Sequence, residues 1–134
     1  MIDRDQMFEP MLEAHPAFAS LWGSFVDEWS NDPEGLPHYI LISDLVSECC
    51  RMLNDGEHEH IRRILAVVER WHTEGDEYVQ EAATVGFLEG LQNRNLHTGT
   101  EPTEFIQFLG PESSYWWTKV ERFWTRGEIL IDDR

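Results

Sequence analysis

The chain has 134 residues, 10 Lys and Arg against 26 Asp and Glu, and a formal net charge of -16 at pH 7. Its length fits one domain, and 41% hydrophobic residues, with six Trp, seven Phe and three Tyr, give more core-forming bulk than a disordered acidic tail carries. The same charge repels nucleic-acid phosphates and anionic lipid headgroups, which excludes nucleic-acid and membrane-surface binding as expected roles and makes a basic protein the natural partner.

No apolar stretch reaches the roughly 18–20 residues needed to cross a bilayer, and Met1-Ile-Asp-Arg-Asp5 has neither the basic nor the apolar region of a secretion signal. The expected location is the cytoplasm. Cys49 and Cys50, the only cysteines, are adjacent, where mutual bridging is strained, so reduced thiols are expected. Lys119 is the single lysine, and the nine arginines favour bidentate ion pairs with carboxylates.

In chain order, Phe8, Met11 and Leu12 supply one turn of helical periodicity within Asp3–Leu12. Phe18, Leu21, Trp22, Phe25, Val26 and Trp29 then fall on one face of a helix predicted near 16–30, with Pro16 suited to its first position. Turn formers crowd Asn31–Pro37, after which Tyr39, Ile42, Leu45, Val46, Cys49, Met52 and Leu53 predict a helix over 37–54. Ile61, Ile64, Leu65, Val68 and Trp71 predict another over 57–73, and Val79, Ala82, Ala83, Gly86, Phe87, Gly90 and Leu91 a third over 76–92. Gly86 and Gly90 each cost about 1 kcal/mol of helix propensity, which implies a close approach by a neighbouring helix.

Asn93–Glu101 reads as the longest internal loop, followed by a short helix from Pro102 to Gly110 and a last helix over 111–126. Trp116, Trp117, Val120, Phe123 and Trp124 form its aromatic face, and Lys119, Arg122 and Arg126 a basic stripe on another side. The tail from Gly127 to Arg134 is left irregular. The fold class is therefore all-α: a compact antiparallel bundle of five to seven helices, with HEAT-like hairpin stacking as second choice. One domain spans 1–134, with residues 1–14 and 127–134 placed at its periphery. Trp22, Phe25, Leu45, Ile64, Leu65, Val68, Phe87, Val120 and Phe123 are expected in the core.

Gly56-Glu-His-Glu-His60 holds the only cluster of metal-type side chains, but positions i and i+2 on a helix point about 200° apart, whereas the zinc helix pattern needs two His four apart. No metal and no cofactor are expected. Glu59 is better placed to pair with Arg63 four residues on. Nothing local links Cys49 or Cys50 to a histidine; Cys49 falls on the apolar face and Cys50, one position round, is expected at the edge of exposure. No nucleophile and no catalytic residue are assigned. The tryptophans continue apolar helix faces and are expected mostly buried, with one of Trp116 and Trp117 near the surface.

Charge placement says most about function. From Asp5 to Cys50 nine acidic residues occur without a Lys or Arg, so 46 residues carry -9 and local ion pairing has no cation to use. Asp27, Glu28 and Glu74 lie in last helical turns, where the helix dipole disfavours an anion by roughly 0.3–1 kcal/mol. With helices alternating in direction, the loops at 31–37 and 73–76 fall at one end of the bundle. Asp27, Glu28, Asp32, Glu34, Glu74, Asp76 and Glu77 would then form an acidic pole, the expected docking surface for a basic protein.

Three segments carry a resemblance: Glu69-Arg-Trp-His-Thr-Glu-Gly75-Asp76, Val85-Gly-Phe-Leu-Glu-Gly-Leu-Gln-Asn93 and Phe108-Leu-Gly-Pro-Glu-Ser113. Together they resemble a family of small, largely uncharacterised bacterial helical proteins, over about Pro37 to Trp124. Several such families behave as immunity proteins encoded beside secreted polymorphic toxins. The resemblance implies a cytoplasmic protein that binds and blocks a cognate toxin domain, many of which are basic nucleases. It carries over no binding residue. An acidic adaptor without a toxin partner, or a small enzyme with a concave polar pocket, are the alternatives.

Overall fold

A computed structural model describes all 134 residues. Its helices are α1 (Glu9–Ala14), α2 (Phe18–Trp29), α3 (His38–Asp55), α4 (His58–Glu74), α5 (Glu77–Glu81), α6 (Glu89–Leu91) and α7 (Pro111–Arg126). A π-helical stretch, Ala82–Leu88, joins α5 to α6, and 3-10 turns occupy Arg94–Leu96 and Pro102–Phe108. The fold is all-α, and the one β-type contact is an isolated parallel bridge between Ile2 and Gly75. No helix is long and apolar enough to cross a membrane.

Local signals set the ends of these elements. Gly56 takes the left-handed conformation (φ 76°) that stops α3, and the Gly56 and Glu57 amides donate back to the Leu53 and Met52 carbonyls. Two residues later α4 starts in the opposite direction. Asp76 caps α5 by accepting from the Val79 amide at 3.0 Å. Pro102 and Pro111 open the last two elements, and a reciprocal capping box of Glu101 and Glu104 fixes the first of them.

Burial follows the apolar faces with informative exceptions. Phe25, Leu45, Ile64, Leu65, Val68, Phe87 and Val120 are buried as expected, while Trp22 is only half-buried. Phe123 departs from expectation and is 41% exposed, with Trp124 beside it at 61%. On α7 the buried side chains are Ser113, Trp117, Lys119 and Val120, whereas Phe123 and Trp124 in its last turns meet edge-on, 5.3 Å between ring centroids, outside the core cluster. Residues 1–14 also depart from a peripheral role, because Met7, Phe8 and Met11 enter the main core cluster. Phe8 packs on Phe18, Trp22, His38 and Trp71, so the first turn of apolar residues serves as a wedge between helices.

The glycine pair acts as its spacing suggested. A Cβ on Gly90 would sit 3.1 Å from Val46 Cγ2, and one on Gly86 3.3 Å from the Tyr39 ring, so α3 presses directly on this backbone. The segment 76–92 is not uniformly α-helical, however; its middle widens to π geometry, which shifts the faces that Thr84 and Phe87 present. Gly90→Leu is expected to cost about 1–3 kcal/mol through overpacking against Val46, read as a lower urea midpoint. An unchanged midpoint would show that the two helices are free to move apart.

The tail from Gly127 to Arg134 folds back along α7 through side chains. Lys119 Nζ donates to Asp133 at 2.6 Å, the Tyr115 hydroxyl bonds Asp132 and Asp133, and Arg134 pairs with Glu112 while stacking 3.9 Å from the Tyr115 ring centroid. Lys119 therefore leaves the proposed basic stripe and is nearly enclosed, whereas Arg122 and Arg126 remain exposed.

Candidate partner-binding end

A short N-terminal strap joins the two acidic loops. The Ile2 amide donates to the Glu74 carbonyl at 2.7 Å, and the Asp76 amide donates to the Ile2 carbonyl at 2.9 Å. Two residues on, the Arg4 guanidinium donates to the Leu36 carbonyl at 3.0 Å and to His38 Nδ1 at 3.1 Å. Since two residues of extended chain span at most about 7 Å between Cα atoms, loops 31–37 and 73–76 are held at one end of the bundle. The strap also brings Asp3, Asp5 and Arg4 there, and the Arg4 guanidinium lies 5.2 Å from the Tyr78 ring centroid. Burial and that guanidinium lower the basicity of His38, which stays neutral as the acceptor of the Arg4 bond.

Not all seven acids stand free at this end. Glu74 is paired with Arg70 at 2.9 Å, an i,i+4 contact that lowers its carboxyl below the usual range. Asp32 accepts from the Glu34 amide at 2.8 Å and Asp76 caps α5, so both shape the backbone. Asp27, Glu28, Glu34 and Glu77 are exposed and take part in no ion pair. Within the acidic run from residue 5 to 50, Glu48 does find a cation, because Arg51, just beyond the run, pairs with Glu48, Asp55 and Glu57 at 3.0, 2.9 and 2.8 Å. That network surrounds the α3–α4 turn, separated from the α4–α5 turn by the 17 residues of α4, about 25 Å. Arg62, Arg63 and Arg94 also pair near the far end, whereas the four exposed acids at the strapped end have no such partner.

A second polar cluster, largely buried, surrounds His72. His72 Nδ1 lies 3.0 Å from Ser113 Oγ and its Nε2 lies 2.9 Å from Thr84 Oγ1, while the Glu69 carboxylate accepts from the Glu112 and Ser113 amides at 3.0 and 2.8 Å. A Cβ on Gly110 would overlap that carboxylate. Burial pushes the His72 imidazole down to about 4, against the opposing pull of Glu69 and Glu112. Ser113 is fully buried and His72 and Thr84 nearly so, and the cluster joins α4, the π stretch and α7. Two of the three segments that carry the family resemblance meet here, and Thr84 immediately precedes the third.

Cys50 is another residue whose environment differs from expectation. It is 5% exposed, and its sulfur lies 3.7 Å from Nε2 of His97, a contact between residues 47 apart that no local pattern signals. Burial raises the thiol to about 11, and His97 Nε2 donates to the Leu91 carbonyl at 2.9 Å, which leaves that nitrogen unable to take the thiol proton. His58 and His60 diverge as their spacing requires: His58 packs on Phe108 and His60 on His15. Glu59 lies 3.5 Å from both Arg62 and Arg63. Among the tryptophans, Trp71 and Trp117 are buried, Trp22, Trp29 and Trp116 half-buried, and Trp124 exposed.

Comparison with curated proteins and with solved structures finds no match to this chain. A family model described as a domain of unknown function, DUF7674, covers residues 8–125, from the Phe8 wedge to the last turn of α7, and the chain belongs to that family.

Proposed function

We propose that this protein works by binding a basic protein partner at the strapped acidic end, and that its role is immunity: it occupies and neutralises a cognate toxin domain in the cytoplasm without turnover of its own. The observation that supports the reading is the separation of charge. Asp27, Glu28, Glu34 and Glu77 lack ion pairs at one end, while Arg51, Arg62, Arg63 and Arg94 are consumed by carboxylates near the other. A field of this kind speeds encounter with a cationic active-site rim and does little to hold the complex afterwards. Asp32, Glu74 and Asp76 add to the field while also serving the turns and the ion pair described above.

The experiment pairs the protein with basic toxin domains encoded beside it and measures both survival of the producing cell and association rate. Asp27→Lys, Glu28→Lys and Glu34→Lys combined should slow association about tenfold or more at low salt, whereas Glu121→Lys, an exposed change on α7, should leave it nearly unchanged. Asp32 and Asp76 are unsuitable for reversal because each holds a backbone amide. Raising salt from 0.1 to 1 M shortens the Debye length from about 10 to about 3 Å and should remove most of the difference. Full protection by the triple variant, with salt-independent association, would reduce the acidic end to a solvated surface.

A further inference from the structure

One open groove, of about 680 Å³, runs beside the glycine crossing between α3 and the segment Val85–Arg94, with Trp124 of α7 at its edge. Its lining is unusual in having large aromatic groups in water beside a carboxylate without partners. Trp124 is 61% and Tyr39 37% exposed, although both rings have the bulk of core residues. Glu89, the only acidic residue of the groove, is half-buried, forms no hydrogen bond or ion pair with another side chain, and has its carboxyl raised by that burial. Arg94 also lines the groove, but its guanidinium is directed to Glu101 at 3.2 Å and is 79% exposed. The groove is continuous with the acidic end, since the Tyr39 ring meets edge-on that of Tyr78, which Arg4 of the strap covers.

We propose that this groove is the receptor for an arginine side chain of the partner, its guanidinium paired with the Glu89 carboxylate and its planar face laid against Trp124 and Tyr39. The inference rests on the basic-partner reading and deepens it: the acidic end draws the partner in, and the groove holds it. A guanidinium is the cation that suits such a lining, because it is weakly hydrated, stacks on aromatic faces and forms two parallel bonds to a carboxylate. It also supplies what Glu89 lacks, a charged donor in a place where water is partly excluded. Nothing in the groove offers a comparable site to an anion, since the one cation there is already engaged.

The test uses N-acetyl-arginine amide as probe and N-acetyl-citrulline amide as its uncharged isostere, followed by proton–nitrogen NMR of the full chain. Trp124 is identified by the indole signal lost in Trp124→Phe, a change at an exposed position. Saturable shifts are expected at the Trp124 indole and at backbone amides of 85–94, with at least fivefold weaker binding in Glu89→Gln and at least tenfold weaker binding of the citrulline compound. Unperturbed amide positions elsewhere in Glu89→Gln establish that it remains folded, and Glu89→Asp serves as the second variant should Gln disturb the helix. Absence of a shift at Trp124, equal binding of citrulline, or affinity unchanged in both Glu89 variants would each overturn the groove. Those results leave the acidic end intact, because its salt-dependent association with a basic protein is measured separately; conversely, arginine capture with no effect of the triple charge reversal would sustain the groove and remove the steering field.

Discussion

Trp71→Ala is expected to cost about 3–5 kcal/mol of folding stability, a large share of the roughly 5–15 kcal/mol that a domain commands. Trp71 is completely buried on α4, with Phe8 and Phe87 edge-on to its ring at centroid distances of 5.7 and 6.1 Å. Its Nε1 donates to the Met7 carbonyl at 2.8 Å. The substitution thus removes the ring that the N-terminal wedge, α4 and the π stretch share, and leaves a buried carbonyl without its donor. Trp71→Phe separates the two contributions: it keeps much of the burial and should cost less, with about 1–3 kcal/mol from the unpaired Met7 carbonyl. Urea midpoints at constant slope provide the measurement. A loss below about 1 kcal/mol for Trp71→Ala would mean that the segment ending at Met7 is not anchored on this ring.

Acidification is expected to act through His72. Its imidazole titrates near 4 in the folded protein because burial disfavours the charged form, whereas an unfolded histidine titrates near 6.5. Between those values the unfolded chain binds the extra proton, so the contribution is complete above about pH 6.5 and falls as pH drops toward 4. The slope reaches about 1.4 kcal/mol per pH unit, for a total of about 3 kcal/mol. Carboxylates titrate in part of the same range, so the isolating comparison is with His72→Gln, whose amide can still bond Ser113 and Thr84. Stability measured from pH 7 to pH 4 should fall by about 3 kcal/mol more for the natural chain than for the variant. Equal pH profiles would show that protonated His72 is accommodated in the fold.

These two effects depend on long-range pairings, and the same division separates what was legible in the sequence from what was not. Helix spans follow from periodicity and from local punctuation: Phe18 to Trp29, the Gly56 stop and the Asp76 cap lie where side chains a few residues apart decide the outcome. The close approach at Gly86 and Gly90 was also legible, because glycine is costly in a helix unless something needs the space. So was the placement of loops 31–37 and 73–76 at one end, which alternating helix directions require.

Tertiary structure decided the rest. Arg4 reaches His38 across 34 residues, His72 reaches Ser113 across 41, and Cys50 meets His97 across 47, and at those separations no spacing rule links partner to partner. Phe123 and Trp124 continue an apolar face of α7 yet stay outside the core, because burial depends on which other helices cover that face. The sequence by itself determined the all-α class, the principal helices and the excess of negative charge, because each depends on local propensity or composition. Packing determined which carboxylates remain unpaired, which histidine is held neutral and which aromatic rings face water, because burial and the distance to an opposite charge exist only after the chain has closed on itself.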